Sequence, residues 1–103
     1  MKTVRVRPEA NRDVDRAIAF LLRQGAPAAA GQLLEELEAA FNRIGARPGI
    51  GSARYARLLT GLRFWKLRRH PYLVFYVNQP RVVDVIRVLH GSQDIPAALR
   101  DVP

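Results

Sequence analysis

Two apolar stripes of helical period flank the short break Gly25-Ala26-Pro27, and this spacing constrains the fold more than any other feature of the chain. Val14, Ala17, Ile18, Leu21 and Leu22 recur at the i, i+3, i+4, i+7, i+8 spacing that gathers side chains on one side of a helix. Ala30, Leu33, Leu34, Leu37, Phe41 and Ile44 do the same on a second helix. Gly25 stops the first and Pro27 opens the second, while Pro8, Glu9 and Gly45 suit the outer ends of the pair. So short a connection turns the second helix antiparallel to the first. Gly31 interrupts the second stripe at a cost of up to about 1 kcal/mol against alanine, and a close helix crossing is the expected reason for it.

The hairpin must bury both stripes against something, and strand-like runs supply it. Residues 3–7 alternate apolar and basic side chains and read as a short opening strand. Residues 45–61 contain Pro48, Gly49 and Gly51 and read as a surface connection, with residues 53–59 open to helix formation. Residues 62–68, 72–77 and 82–89 are three further strand runs, separated by Arg69-His70-Pro71 and Asn78-Gln79-Pro80. Proline lacks an amide donor and belongs at strand ends, so the turns are tight and the three strands form an antiparallel meander. The tail after Gly91 reads as one last helical turn begun near Pro96. The predicted fold is therefore α/β of the α+β type, in the order β-α-α-β-β-β. An N-terminal helical hairpin packs on a small, mainly antiparallel sheet, and one domain spans residues 1–103. Val74 and Tyr76 fall on one side of their strand and Leu73, Phe75 and Val77 on the other. The sheet face away from the hairpin is accordingly expected to be partly open, or covered by something else, with a concave surface near the basic residues.

Composition narrows the chemistry. With 49% hydrophobic and 25% charged residues the chain can bury a core. It has no cysteine, which excludes a disulfide framework, a thiol nucleophile and cysteine-ligated zinc. Two histidines are too few for a convincing metal site, and nothing calls for a cofactor. No apolar run approaches the roughly 20 residues that span a bilayer, and the basic start lacks the apolar core of a signal peptide. The expectation is a cytoplasmic protein with no membrane partner. Seventeen basic residues against nine acidic ones give a net charge of +8, and fifteen of the seventeen are arginine. The excess is uneven: residues 1–50 carry eight basic and six acidic side chains, residues 51–103 nine and three. Arginine's planar fork suits phosphates and carboxylates, so the natural partner is a nucleic acid or an acidic protein segment.

The densest basic stretch runs through Arg54, Arg57, Arg63, Lys66, Arg68 and Arg69, with Tyr55, Phe64, Trp65 and Tyr72 among or just beyond these cations. Cations neutralise phosphates and aromatic faces stack on bases, although the same aromatics also have a plain core reading. Arg87 and His90, on or just after the last strand, approach Arg68 if their strands lie close. His90 can transfer protons near neutral pH or serve the adjoining loop structurally, and His70, in a turn before Pro71, reads as exposed and passive. Asp84 and Asp94 stand apart and form no clear carboxylate pair. No glycine-rich phosphate loop or serine-hydrolase elbow is present. The first helix alternates Arg12, Asp13, Asp15 and Arg16 and lacks the one-sided basic face of a major-groove reader.

Gly61-Leu62-Arg63, then Leu67-Arg68-Arg69-His70-Pro71-Tyr72-Leu73-Val74-Phe75-Tyr76, resembles the middle of ParE-type toxins of the RelE/ParE superfamily. Ile86-Arg87-Val88-Leu89-His90-Gly91, with Asp94 shortly after, resembles their last strand and its exit, and Pro48-Gly49-Ile50-Gly51 falls in the right order before both. The resemblance implies the toxin of a type II toxin–antitoxin system, a growth inhibitor held in a hetero-oligomeric complex by a cognate antitoxin whose acidic or amphipathic segment wraps it. RelE-like members cut messenger RNA on the ribosome without a metal. For that activity Arg68 and Arg87 would clamp phosphate and Lys66 or His90 would act as base or acid. ParE-like members instead poison DNA gyrase by binding it. Here no tyrosine follows His90 and the lysines of the nuclease strand are reduced to Lys66, so no catalytic residue is assigned and the chain sits closer to the ParE-like members. The residues expected to bind target or antitoxin are Arg63, Trp65, Lys66, Arg68, Arg69, Tyr72, Arg87 and His90. A plain basic nucleic-acid-binding module without toxicity is the remaining alternative.

Overall fold

Strand β1 (Thr3–Val6) runs straight into helix α1 (Pro8–Arg23), and after three residues the chain returns as α2 (Pro27–Ala46). A 3₁₀ turn (Pro48–Ile50), strands β2 (Leu62–Lys66), β3 (Tyr72–Asn78) and β4 (Val82–His90), and a short helix α3 (Ile95–Leu99) follow. The structure, a computed structural model, describes residues 1–100 and 102 of the chain. The architecture is α+β: the hairpin of α1 and α2 covers one face of a four-stranded sheet ordered β1-β4-β3-β2. The meander β2-β3-β4 is antiparallel, and β1 joins β4 in parallel, as the route through the hairpin requires.

The break between the helices is a glycine motif. Gly25 has φ +69°, Ala26 N–H donates to the Leu21 carbonyl at 2.9 Å and Gly25 N–H to the Leu22 carbonyl at 3.0 Å. These are the two bonds that satisfy orphan carbonyls at a helix end closed by a left-handed residue. The hairpin's core face buries Ala10, Ala17, Leu33, Leu37, Ala40 and Ile44 against Val74, Tyr76, Val83, Val85 and Val88. Each large aliphatic side chain taken fully from water contributes about 1.5–3 kcal/mol.

The close backbone approach lies at Gly45 rather than Gly31. A Cβ at Gly45 would stand 3.0 Å from the Lys2 carbonyl oxygen and 3.0 Å from Val4 Cγ2, because α2 ends against β1. A Cβ at Gly31 would meet nothing within 4 Å, so no helix crossing accounts for that glycine. Residues 53–59 form successive turns, with Ala56 N–H bonded to the Ala53 carbonyl and Leu58 N–H to the Tyr55 carbonyl, and not a helix.

The sheet face away from the hairpin is covered. Leu62, Leu73, Phe75, Ile86, Leu89, Ile95 and Leu99 form a second buried cluster, with Tyr55, Leu59 and Phe64 packed against it. The rings of Tyr55, Phe64 and Phe75 lie 5.5–5.9 Å apart in tilted pairs. The turns before β2 and the C-terminal α3 thus fold over this face, and the expected open concavity is filled with side chains. A register shift in β4 makes this two-sided burial possible. Phe75 pairs with Arg87 and Tyr76 with Val85, so Ile86 is the extra residue of a bulge. Val83, Val85 and Val88 consequently face the hairpin while Ile86 and Leu89 face outward.

Gly25→Ala and Gly31→Ala should move stability in opposite directions. An alanine forced into the left-handed region at residue 25 should cost about 1–2 kcal/mol. In open helix at residue 31 it should gain about 0.5–1 kcal/mol. Thermal melts should separate the two variants by several degrees, and a shift of both in the same direction would contradict the assignment.

Candidate binding surface

β1 lies beside β4 only from Val82 to Val85, and the bond from Arg7 N–H to the Val85 carbonyl at 2.9 Å closes that ladder. Beyond it the β4 edge is covered by a side chain of α1. The Asp13 carboxylate, 5% exposed, accepts from Val88 N–H at 2.9 Å and from Arg87 Nε and Nη2 at 2.7 and 2.9 Å. Arg87 also donates from Nη1 to the Ala98 carbonyl at 2.9 Å, so one guanidinium ties α1, β4 and α3 together. A buried carboxylate is tolerable only when its lone pairs are so engaged. Arg16 pairs with Asp13 as well, at 2.8 Å, but at 68% exposure it adds little stability.

This arrangement walls one side of a cleft of about 180 Å³, to which Arg16, Phe20, Tyr72, His90 and Gln93 also contribute. Tyr72 and His90 are register partners whose rings meet edge to face at 5.2 Å. The Ser92 N–H donates to His90 Nδ1 at 3.0 Å, which places the proton of the neutral ring on Nε2. Gln93 Oε1 accepts the His90 N–H at 2.7 Å. Burial pushes the Tyr72 phenol up, which keeps it a neutral hydroxyl.

The other expected site residues lie elsewhere. Arg43 stacks over the Trp65 ring at 5.4 Å, and Arg68 lines the same cleft. Arg63 is a structural donor, bonding the Gly51 carbonyl at 2.8 Å. β2 ends at Lys66, earlier than its apolar pattern suggests, because Glu36 of α2 captures the next amides. Its carboxylate accepts from Arg68 N–H at 2.7 Å and Arg69 N–H at 3.0 Å, and lies 2.8 Å from His70 Nδ1. His70, read as exposed and passive, is therefore a half-buried anchor of the β2–β3 turn, its side chain 12% exposed. Strand β3 separates β2 from β4, and Arg68 and Arg87 line different clefts. Of the expected residues, Tyr72, Arg87 and His90 come together in the cleft beside α1, and Trp65 and Arg68 in the other.

Sequence reasoning missed Asp13, Phe20 and Glu36. Asp13 carried a signal: with Ala10 and Ala17 it falls on the buried side of α1, a charge at stripe spacing. Phe20, Leu22 and Leu34 remain about half exposed, and Val14, Leu34, Leu37 and Phe41 line an apolar groove of about 460 Å³ between the helices. Asp84, fully buried on β4, holds Arg7 at 2.8 Å and Arg5 at 3.3 Å. Among the described residues no cluster of histidine, aspartate and glutamate could hold a metal ion, and no helix is long and apolar enough to cross a membrane.

Residues 4–95 match the model of the family described as ParE toxin of type II toxin-antitoxin system, parDE. The chain belongs to this family of toxins. Among solved structures it is similar to one described as the chromosomal ParDE TA system from P. aeruginosa, with a TM-score of 0.74 and 16% sequence identity. That likeness covers 87% of this chain and 96% of the other, and at this identity it speaks for the shared ParE fold. No curated protein matches the chain by sequence.

Acid should destabilise this ParE-family toxin through Asp84. Burial alone would raise the Asp84 carboxyl, but hydrogen bonds and charge from Arg7 and Arg5 outweigh it and hold the carboxyl below its ordinary value. The unfolded chain then takes up the proton first, so this stability is complete above an unfolded value of about 4 and drains as pH falls toward the lower folded value. Melting temperature should be flat near neutrality and fall below about pH 4, with a shallower fall in Asp84→Asn. An identical acid limb in both proteins would show that Asp84 is not responsible.

Proposed function

We propose that this toxin inhibits bacterial growth in the cytoplasm by binding DNA gyrase, and that residues 1–103 act as a single toxin domain neutralised in a hetero-oligomeric complex by a cognate antitoxin. Membership of the ParE family supports the toxin role, and the character of the outer sheet face supports binding over cutting. Cleavage of RNA through its own 2′-hydroxyl needs a base, an acid and cations converging on one phosphate. An open sheet face is one place where strand side chains could offer such a constellation. Here that face presents Leu73, Phe75 and Leu89, which lie beneath Tyr55, Leu59, Ile95 and Leu99. The cations named for cleavage are dispersed: Arg87 is bound to Asp13, Arg68 lines another cleft, and Lys66 is exposed at the end of β2.

The antitoxin reading draws on the groove between α1 and α2. Leu34, 48% exposed, and Phe41 offer the apolar row that an amphipathic helix fits. The surplus of positive charge favours an acidic partner.

The purified toxin should be added in parallel to a gyrase supercoiling assay and to translating ribosomes. Loss of supercoiling with intact messenger RNA is the expected result. Ribosome-dependent cuts with supercoiling unaffected would replace this reading with the nuclease one. Expression of the folded chain alone should arrest growth, and unhindered growth would remove the toxin role in that host.

A further inference from the structure

The cleft beside α1 holds more hydrogen-bond donors than the chain itself satisfies. Its one carboxylate, Asp13, already accepts from Val88 N–H, from two nitrogens of Arg87 and from Arg16 Nη2. His90 spends Nδ1 on Ser92, and Gln93 spends Oε1 on the His90 N–H. What remains are donors: His90 Nε2–H, the Gln93 amide NH₂, the Tyr72 hydroxyl, and the Arg16 nitrogens not turned to Asp13. None of these has a protein acceptor among the described residues. A ligand for this cleft must therefore bring acceptors, as a carboxylate or a phosphate does.

We infer that the cleft receives a single aspartate or glutamate side chain of the antitoxin, held by Arg16, Tyr72 and His90. This rests on the toxin–antitoxin reading above. A peptide fits better than a nucleic acid for two reasons. With Arg16 and Arg87 against Asp13, the lining residues carry a surplus of one positive charge, which Glu9 near Arg87 partly offsets, unlike the rows of unpaired cations that track a phosphate backbone. Its rim also carries the half-exposed ring of Phe20, and α1 runs from there to Val14 in the groove between the helices. An amphipathic segment that lays its apolar side on that groove and crosses α1 brings an adjacent acid to the cleft.

The test uses the full-length toxin and the antitoxin encoded by the reading frame adjoining its gene, with affinity measured by calorimetry. Tyr72→Phe keeps the ring against His90 and removes only the hydroxyl; Arg16→Gln removes an exposed charge. Melting temperatures near that of the unmodified toxin establish that both variants are folded. The double variant should bind the antitoxin about tenfold more weakly, the loss expected when charge-assisted hydrogen bonds disappear. Replacing the antitoxin's acids one at a time by their amides should identify one position whose loss makes the toxin variants indistinguishable from the unmodified protein. Unchanged affinity in the folded double variant would overturn the inference while leaving the toxin–antitoxin reading intact. Absence of any binding by the unmodified toxin would overturn both. Binding of a single-stranded RNA oligonucleotide that disappears in the double variant, with antitoxin affinity unaltered, would assign the cleft to nucleic acid and also overturn it.

Discussion

The Arg87 guanidinium is the junction on which this small fold depends. It reaches Asp13 on α1 through two hydrogen bonds and the Ala98 carbonyl of α3 through a third, from a strand whose edge β1 has already left. The hairpin layer, the sheet and the C-terminal cover therefore meet at one charged group. Breaking such a buried pair by removing one partner costs about 3–5 kcal/mol. Small domains are typically stable by only about 5–15 kcal/mol, so this is a large share. Two thin layers with a core on each side of one sheet leave few other places where all three parts touch.

That junction also explains how charge is used. Asp13, Glu36 and Asp84 are turned to Arg87, to the β2–β3 turn and to Arg7, and the exposed Asp94 caps the first turn of α3. Glu9, Asp15, Glu35 and Glu38 stay exposed, so these ties withdraw only part of the acidic charge from the surface. The side-chain nitrogens of Arg43, Lys66, Arg68 and Arg69 have no carboxylate oxygen within 4.0 Å among the described residues. Such a surface favours the acidic partner proposed above.

Much of the architecture was legible because local rules acted without competition. The stripes on α1 and α2, Gly25, Pro27 and the prolines flanking β3 each specify one outcome, and the element order followed. The β4 bulge was not legible, since Val82 to His90 reads as one continuous, mostly apolar strand, and only pairing with Phe75 and Tyr76 reveals the extra residue. Which segments cover the outer face was not legible for a related reason: Tyr55, Leu59, Ile95 and Leu99 sit in irregular or very short segments, where no period shows which way a side chain points. Among the site residues, Tyr72, Arg87 and His90 converge as neighbours on β3 and β4, whereas Arg68 is drawn away by Glu36, a partner 32 residues distant in sequence. Long-range carboxylate partners are what periodicity cannot supply.

The proposed role of Arg87 is to hold the fold together, without chemistry on RNA. It is tested most directly by the paired replacement Asp13→Asn with Arg87→Met. The amide introduced at residue 13 retains an oxygen for Val88 N–H, and the methionine fills the space of the guanidinium stem without charge. The double variant should melt well above Asp13→Asn alone, and once shown to be folded it should arrest growth as the unmodified toxin does. A folded double variant that no longer arrests growth would contradict the account and return Arg87 to the functional machinery.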